Sequence, residues 1–289
     1  MNLKKARIIP LVLAGLLVLQ AAAFAQESRL KIRLFGGYGY LAGGDLNTGT
    51  EGLFNLWGDL AVALGATRSG AFKPANFGFT FGGDVIFMFN PTIGIGFGSE
   101  YIRASRDSEA VFTLPTGQLA ISAGQTASAV PLKASLYICV PAGESVRMVL
   151  HAGAGYYLAK MSNDVLVSEP PDSLEYRNEA DGKGIGFHGG LGFEIDFSPN
   201  AGFFIEARGR YAKFDGFTGD FTFAAGGVTL ATESGTLFYS ENKGLVPNFY
   251  PIITVSDTAP VSSPNVRNIR EAKIDFSGGS AVAGFYIRF

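Results

Sequence analysis

Apolar residues alternate with glycine and polar residues along most of this chain, and this alternation restricts the fold more than any other feature. In the stretch "FGFTFGGDVIFMF", Phe79, Phe81 and Val85 fall on one face of an extended chain, and Thr80 and Asp84 fall on the other. A period of two residues is that of a β-strand, whose side chains point to alternate faces of a sheet. The sequence therefore predicts an all-β protein.

The same pattern recurs in eight segments, which we predict to be strands. The predicted strands cover residues 30–40, 77–89, 93–101, 130–140, 146–158, 185–197, 203–212 and 281–289. Short connections at 90–92, 141–145 and 198–201 alternate with long ones near 41–76, 104–129, 160–183 and 214–272. Short periplasmic turns and long extracellular loops are typical of transmembrane β-barrels. We expect an eight-stranded antiparallel transmembrane β-barrel.

A secreted β-sandwich or lipocalin-like barrel would also alternate, with its apolar face inward. Here the face opposite the apolar one is mostly glycine, with a few charges of both signs, rather than a solvated polar surface. That composition suits the narrow interior of an eight-stranded barrel. In lipid, all backbone groups must be paired internally, so the first and last strands are predicted to pair and close the ring.

The first 25 residues have the features of a secretory signal: a basic start, a short apolar stretch and small residues before the predicted cleavage after Ala25. The competing interpretation is a membrane anchor, but the apolar stretch is shorter than the roughly 20 residues that span a bilayer. We therefore expect a signal peptide at 1–25, a barrel domain at 26–289 and a location in the outer membrane.

Composition excludes several classes of function. Removing the three basic residues of the predicted signal changes the formal net charge from −2 to −5, which leaves no basic surface for nucleic acid. Cys139 is the single cysteine, so no intrachain disulfide is expected. Fragments such as Gly184-Ile185-Gly186 lack the following helix of a phosphate loop. We expect no cofactor and no metal.

Outward-facing aromatic residues lie near the ends of the predicted strands, where a barrel carries its interfacial girdles. The predicted girdle residues are Phe89, Tyr101, Tyr156, Phe197 and Tyr211.

The final strand places Phe285, Ile287 and Phe289 on one face. In this respect, and in its architecture, the chain resembles the small eight-stranded outer-membrane barrels of the OmpA/OmpX/OmpW-like group. The resemblance implies that these three residues form the assembly signal that the barrel assembly machinery reads. Ile287 departs from the family pattern, which often has tyrosine there. A periplasmic peptidoglycan-binding domain of the OmpA type is not expected.

Charged residues on the inward face should pair with one another, because an unpaired buried charge is costly. The predicted lumen ion-pair network comprises Asp84, Glu100, Lys133, Arg147, Glu194, Asp196, Glu206, Arg208 and Arg210. The network either fills the lumen as a plug or exchanges partners as the gate of a narrow pore.

His151 and His188 also face inward on neighbouring strands. Catalysis would need a serine or a carboxylate beside a histidine, and the sequence does not place Ser135 or Asp196 there. We therefore expect packing roles and assign no catalytic residue.

The long loops carry further signals. Residues 51–65 have helical spacing, so loop one is predicted to contain a short helix on the membrane surface, over the barrel mouth or against its own loops. Loops two and four continue to alternate and should extend as hairpins; Gly226-Gly227 reads as a turn. A ten-stranded barrel is the structural alternative, and the proline-rich part of loop four is predicted to be irregular.

These features favour a non-enzymatic outer-membrane protein with a structural or surface-interaction role, monomeric, surrounded by outer-membrane lipid and binding an extracellular ligand through its loops. The first alternative is a narrow pore or carrier for small or apolar solutes. The second is a membrane-embedded hydrolase or acyltransferase that modifies lipid.

Overall fold

The structure is a computed structural model that describes residues 29–115, 117–245 and 248–289. The predicted signal peptide lies outside these residues. In chain order, the elements are β1 (Leu30–Tyr40), β2 (Gly43–Gly44), α1 (Asp45–Ala63), β3 (Thr67–Ala71), β4 (Phe77–Met88), β5 (Ile93–Leu114), β6 (Gly117–Pro141), β7 (Val146–Glu169), β8 (Asp172–Ser198), β9 (Ala201–Tyr211), β10 (Lys213–Phe214), β11 (Thr218–Ala225), β12 (Val228–Lys243), β13 (Phe249–Ser256), β14 (Val266–Glu271), β15 (Ile274–Asp275) and β16 (Gly278–Arg288).

Eight antiparallel strands form a closed ring in the order β1, β4, β5, β6, β7, β8, β9 and β16. The ring closes where β16 pairs with β1 over nine residue pairs, from Lys31 opposite Arg288 to Gly39 opposite Ser280. The Phe289 amide also donates to the Leu30 carbonyl at 2.8 Å. The predicted eight-stranded barrel is confirmed. The ten-stranded alternative is wrong, because β11 and β12 join the sheet outside the ring.

The ring strands fall into two length classes. Strands β1, β4, β9 and β16 have 11 or 12 residues, close to the roughly 9–11 that cross a bilayer. Strands β5 to β8 have 22 to 27 residues and continue beyond the membrane on the extracellular side. The hairpin predicted for 104–129 is confirmed, and 160–183, predicted as a long loop, is a second tall β-hairpin. No helix within the described part of the chain is long and apolar enough to cross a membrane.

Part-way along the long strands, the apolar residues change from the outward face to the inward face. The register between neighbouring strands does not shift at this point. In β7, outward Leu158 is followed by outward Lys160 and Ser162, whereas the inward residues change from His151 to Val165. We call the barrel on the periplasmic side of this change the membrane half. The remainder, together with α1 and β11 to β14, is the extracellular half.

The extracellular half has an apolar core of its own. Helix α1 packs against β13 and against the inner face of β6 and β7, burying Leu53, Phe54 and Ala61. Gly52 permits this approach, because a Cβ there would overlap the carbonyl oxygen of Pro251. Helix α1 therefore packs against its own loops and also over the barrel mouth, where Leu46 joins the buried cluster that contains Leu41 and Tyr157. The helix begins at Asp45, well before the segment predicted from sequence.

Loop four is more regular than its sequence indicates. Residues 249–256, within the segment predicted to be irregular, form β13 and pair with β12. Pro251 is accommodated opposite Glu241 in that ladder. Gly226 and Gly227 both have positive φ and form the turn between β11 and β12, as expected.

Candidate functional site in the barrel lumen

The lumen of the membrane half holds a layered set of charged side chains. Inward positions beside these charges are often glycine, which makes room for them. A Cβ at Gly98 would overlap a carboxylate oxygen of Asp84, and one at Gly190 would overlap the imidazole of His151. The glycine-rich lumen of this sequence is thus the consequence of packing charged side chains into a narrow barrel.

Glu206 is the centre of the first cluster and is buried. Its Oε2 accepts a hydrogen bond from Arg33 at 2.6 Å, and its Oε1 lies 2.8 Å from Nε2 of His151. Arg208 also donates to Glu206. The guanidinium of Arg33 stacks on the ring of Phe204 at 3.7 Å. One carboxylate therefore faces two arginines, and its charge is well compensated.

Asp84 and Glu100 form a second cluster beside the first. Lys133 lies 3.6 Å from Asp84 and 3.5 Å from Glu100, and Arg208 lies 3.4 Å and 3.5 Å from the same two carboxylates. Thr80 adds a hydrogen bond to Glu100 at 3.2 Å. Because each cation contacts both carboxylates, the four groups form a closed quartet.

A third cluster lies at the periplasmic end. Glu194 accepts hydrogen bonds from Lys31 at 2.8 Å and from Arg147 at 3.1 Å. Arg147 also reaches Asp196 at 3.0 Å, and Arg288 pairs with Asp196 as well. A cavity of about 510 Å³ opens here toward the periplasm and is lined by the outer members of this cluster.

Of the nine residues predicted to form the ion-pair network, the structure brings eight into ion pairs. Arg210 is the exception: its Nε donates to the carbonyl of Phe276 at 2.7 Å, and within the described residues no carboxylate lies at ion-pair distance from it. Arg210 lies near the barrel mouth, where a backbone carbonyl of the C-terminal segment takes the place of an acid.

Three further inward-facing cations, Lys31, Arg33 and Arg288, also belong to the network, although the sequence prediction does not include them. Each of them forms a buried or half-buried ion pair. Tyr286, whose hydroxyl donates to Asp196, was also missed. These residues could have been found from the sequence, because the alternation of the first and last predicted strands places them on the inward face.

The two lumen histidines have different partners. Nε2 of His188 lies 2.7 Å from the hydroxyl of Ser135, whereas His151 contacts Glu206. Asp196 belongs to the periplasmic cluster instead. The Ser135 and His188 pair lacks the third group that orients a catalytic histidine, since Nδ1 of His188 is buried without a partner. The described residues also contain no group of three or more side chains that could bind a metal.

An apolar layer, which we call the mouth layer, covers the charged lumen on the extracellular side. It is formed by Leu41, Ile102, Tyr157, Phe217, Ile274 and Phe276, all of which are buried. Its rings pack on glycines of β8, since a Cβ at Gly182 would come within 2.7 Å of the ring of Phe217.

The outer surface of the membrane half is apolar. The predicted girdle residues all face outward, with Phe89, Tyr156, Phe197 and Tyr211 exposed and Tyr101 half-buried. The predicted assembly-signal residues Phe285, Ile287 and Phe289 are exposed on the same surface. Their recognition by the assembly machinery stays a prediction.

Comparison with known protein families agrees with this geometry. The model of the outer membrane protein beta-barrel domain matches residues 11–231, most of the chain. The chain belongs to this outer-membrane β-barrel family. Membership places it in the outer membrane, with the apolar surface facing lipid and the tall hairpins outside the cell.

Two solved structures of outer-membrane barrels are similar to this family member. The outer membrane protein OprG from Pseudomonas aeruginosa is 12% identical, with a TM-score of 0.36, 90% of this chain covered and 95% of that chain. The outer membrane protease OmpT from Escherichia coli is 10% identical, with a TM-score of 0.29, and 90% and 97% of the two chains covered. Comparison with curated proteins gives no match.

Proposed function

We propose that this outer-membrane barrel is a non-enzymatic anchor that presents an ordered extracellular half to other molecules at the cell surface. The observation that carries the proposal is the double closure of the lumen. Paired charges fill the membrane half, and the buried mouth layer covers them. A solute would have to displace both, and an eight-stranded barrel leaves little space for that.

The extracellular half has the properties of a recognition surface. It is a folded unit with an apolar core rather than a set of separate loops. At the tip of the β11–β12 hairpin, Val228 and Leu230 are 63% and 61% exposed. Function on rigid scaffolds concentrates at such loop tips. We assign these two residues to the contact with an extracellular partner.

The test compares cells that express the wild type, the V228S/L230S variant and the control variant V261S, which alters a still more exposed valine elsewhere in loop four. Adhesion of whole cells to epithelial monolayers is the readout. We expect the double variant to lose adhesion and the control to keep it, with unchanged heat-modifiable migration of both. Equal adhesion of the double variant and the wild type would contradict the assignment.

The narrow pore is the second candidate, and the quartet around Asp84 and Glu100 favours it. Because Lys133 and Arg208 each contact both acids, partners can exchange without leaving a charge unpaired. Planar-bilayer recordings of the refolded protein separate the two candidates. The anchor predicts a silent bilayer. Discrete openings that change in the R208Q variant would establish the pore.

A further inference from the structure

In the extracellular half, the sheet of the long strands is open and therefore has two edges. It runs from β3 through β5, β6, β7, β8 and β11 to β12. At one edge, β3 is only five residues long and contains Gly70 at a φ of 98°, and short or irregular edges resist pairing with other chains. The other edge is the first half of β12, residues 228–235, which we call the free edge.

The backbone of the free edge is paired on one side only. Strand β11 pairs with that side, and β13 begins to pair with β12 only at the residue that follows the free edge. The Leu237 amide donates to the Phe217 carbonyl on the β11 side, at 2.8 Å. Because successive residues of a strand direct their backbone groups to opposite sides, those of Thr232 and Ser234 point away from β11. Within the described part of the chain, no strand pairs with them there, and residues 228–234 are all exposed.

The free edge has few of the features that protect natural sheets from further pairing. Lysine, proline, bulges and covering loops are the usual protection. Residues 228–235 include no lysine and no proline, and the bulge lies near the hairpin tip at Leu230, which has no partner on β11. Residues 231–235 keep a regular ladder with β11. Such an edge can accept an extended peptide as a further strand.

The charge near the free edge is negative. The segment 218–235, which forms β11 and the free edge, contains two charged residues, Asp220 and Glu233. Asp257 follows the end of β13, and its backbone amide lies beside the free edge. Arg177 on the neighbouring strand β8 is already paired with two acids. A basic segment is therefore electrostatically complementary to this edge.

A second copy of this chain in the same membrane does not fit the free edge. Two identical edges that pair in an antiparallel ladder are related by a twofold axis perpendicular to the sheet. The sheet of a barrel forms a wall around the membrane normal, so this axis lies in the membrane plane. It would turn the second barrel upside down, whereas barrels in one outer membrane share one orientation.

We propose that the free edge binds an extended, basic segment of an extracellular protein, which adds to β12 as a further strand. The inference rests on the proposed function and specifies its partner, because Val228 and Leu230 belong to the same edge. The backbone groups of Thr232 and Ser234 pair with the segment, and Glu233 attracts its cations. Main-chain hydrogen bonds supply affinity in this mode of recognition, and side chains supply specificity.

The first test measures amide hydrogen exchange in the refolded, full-length barrel. The probe is a short synthetic peptide that alternates valine with lysine, and the control peptide has glutamate in place of lysine. With the lysine peptide at about ten times its dissociation constant, the amides of Thr232 and Ser234 should exchange about tenfold more slowly. Those of Glu233 and Gly235, which point toward β11, should be unchanged.

Three results of this experiment would overturn the proposal. The first is unchanged exchange of Thr232 and Ser234 with the lysine peptide at millimolar concentration. The second is equal protection by the glutamate peptide. The third is protection without peptide that rises with protein concentration, which would assign the free edge to a second copy of this chain.

The second test compares the variants T232P and T232A. Proline removes the amide that points away from β11 and is tolerated on an edge strand where that side faces solvent, whereas alanine keeps the amide. The lysine peptide should bind T232P about tenfold more weakly than the wild type, and T232A should bind it like the wild type. Equal weakening in both variants would assign the contact to the side chain and contradict strand addition. Heat-modifiable migration verifies the fold of each variant, and exchange in the wild type decides the question if T232P does not fold.

The adhesion assay separates this inference from the proposed function. Loss of adhesion in both T232P and V228S/L230S supports both. If V228S/L230S loses adhesion and T232P keeps it, strand addition is wrong and the contact through the hairpin tip stands. If V228S/L230S adheres like the wild type, the proposed function itself is contradicted.

Discussion

The membrane half and the extracellular half share strands, yet the apolar residues lie on opposite faces of these strands. They face outward in the membrane half and inward in the extracellular half. In β6, outward Leu136 is exposed and inward Lys133 is buried within the membrane half. Some ten residues earlier, Ile121 and Ala123 are the buried inward residues and Ser122 faces outward. The register of the ladder is continuous through this change.

The inward residues are the buried ones in both halves, so the difference shows that the surrounding solvent determines whether polar or apolar residues occupy the inward face. Against lipid, the apolar face gains nothing by turning inward, so the polar face occupies the lumen and must satisfy itself. Above the membrane, water restores the ordinary hydrophobic effect and the apolar face turns inward. The two halves are therefore stabilised by different interactions, paired charges in one and apolar burial in the other.

The largest expected effect comes from breaking the charge network. The E206Q variant leaves Arg33 and Arg208 without their shared carboxylate, and breaking a buried pair costs about 3–5 kcal/mol. Urea unfolding of the barrel refolded into lipid vesicles measures the loss. The control is E179Q, which removes an exposed ion pair with Arg177 and should cost at most about 1 kcal/mol. Equal losses would contradict the distinction between the halves.

The next effect tests the outward face. Lysine on the lipid-facing side of a barrel costs about 2–4 kcal/mol near the bilayer midplane, so we expect L136K to lose that amount in the same urea assay. The matched variant is S122K, outward on the same strand but in the extracellular half and opposite Glu109. It should change the free energy of unfolding by no more than about 0.5 kcal/mol. If L136K does not lower the free energy of unfolding, Leu136 lies outside the hydrocarbon region and the boundary of the membrane half must be assigned elsewhere.

A third effect concerns the attachment of α1 to loop four. Asp45 accepts two hydrogen bonds from Arg270 and one from the backbone amide of Lys273, at 2.5–2.9 Å. The D45N variant weakens these charged hydrogen bonds and should cost about 1.5–3 kcal/mol. The single tryptophan, Trp57 in α1, reports the unfolding of this half by fluorescence.

If the halves are separable, D45N lowers the urea midpoint of Trp57 fluorescence and leaves the heat-modifiable migration of the barrel unchanged. A simultaneous shift of both readouts would mean that the long strands couple the two halves into one cooperative unit.

The ring of strands could be predicted from the sequence because the alternation of apolar and polar residues is a local property of each strand and does not depend on its partners. Outward and inward assignments followed from it, including eight of the nine network charges that form ion pairs. The pairing partners could not be predicted: Arg33 and Glu206 are 173 residues apart, and their contact depends on strand register and barrel shear. The same holds for Ser135 and His188.

The extracellular half was predicted less completely, for a physical reason. The start of α1 contains Asn47, Thr48 and Gly49, which are weak helix formers, and Asp45 is held by a residue 225 positions away. Strand β13 contains a proline and gains its order from α1 and β12. Tertiary contacts override local propensity at both places.

The smallest expected effect is a pH dependence confined to the extracellular half. The hydroxyl of Tyr250 on β13 donates to Asp59 of α1 at 2.7 Å. Burial, together with this hydrogen bond to the carboxylate, raises the pKa of Tyr250 above its usual value of 10.0. The phenol therefore stays protonated to a higher pH in the folded state than in the unfolded state. Its stabilising contribution is complete below the unfolded-state pKa and is lost as the pH rises through the folded-state pKa.

The Y250F variant removes the hydrogen bond and should lower the stability of the extracellular half by about 1 kcal/mol at neutral pH. It should also remove this component of alkaline destabilisation, so that wild type and variant converge as the pH rises above 10. Trp57 fluorescence during urea unfolding at pH 7 to 11 follows both, and barrel migration on gels serves as the reference for the membrane half. If the free energies of unfolding of the two proteins differ by the same amount across this range, the pKa of Tyr250 is the same in the folded and unfolded states. The contact with Asp59 would then act through packing alone.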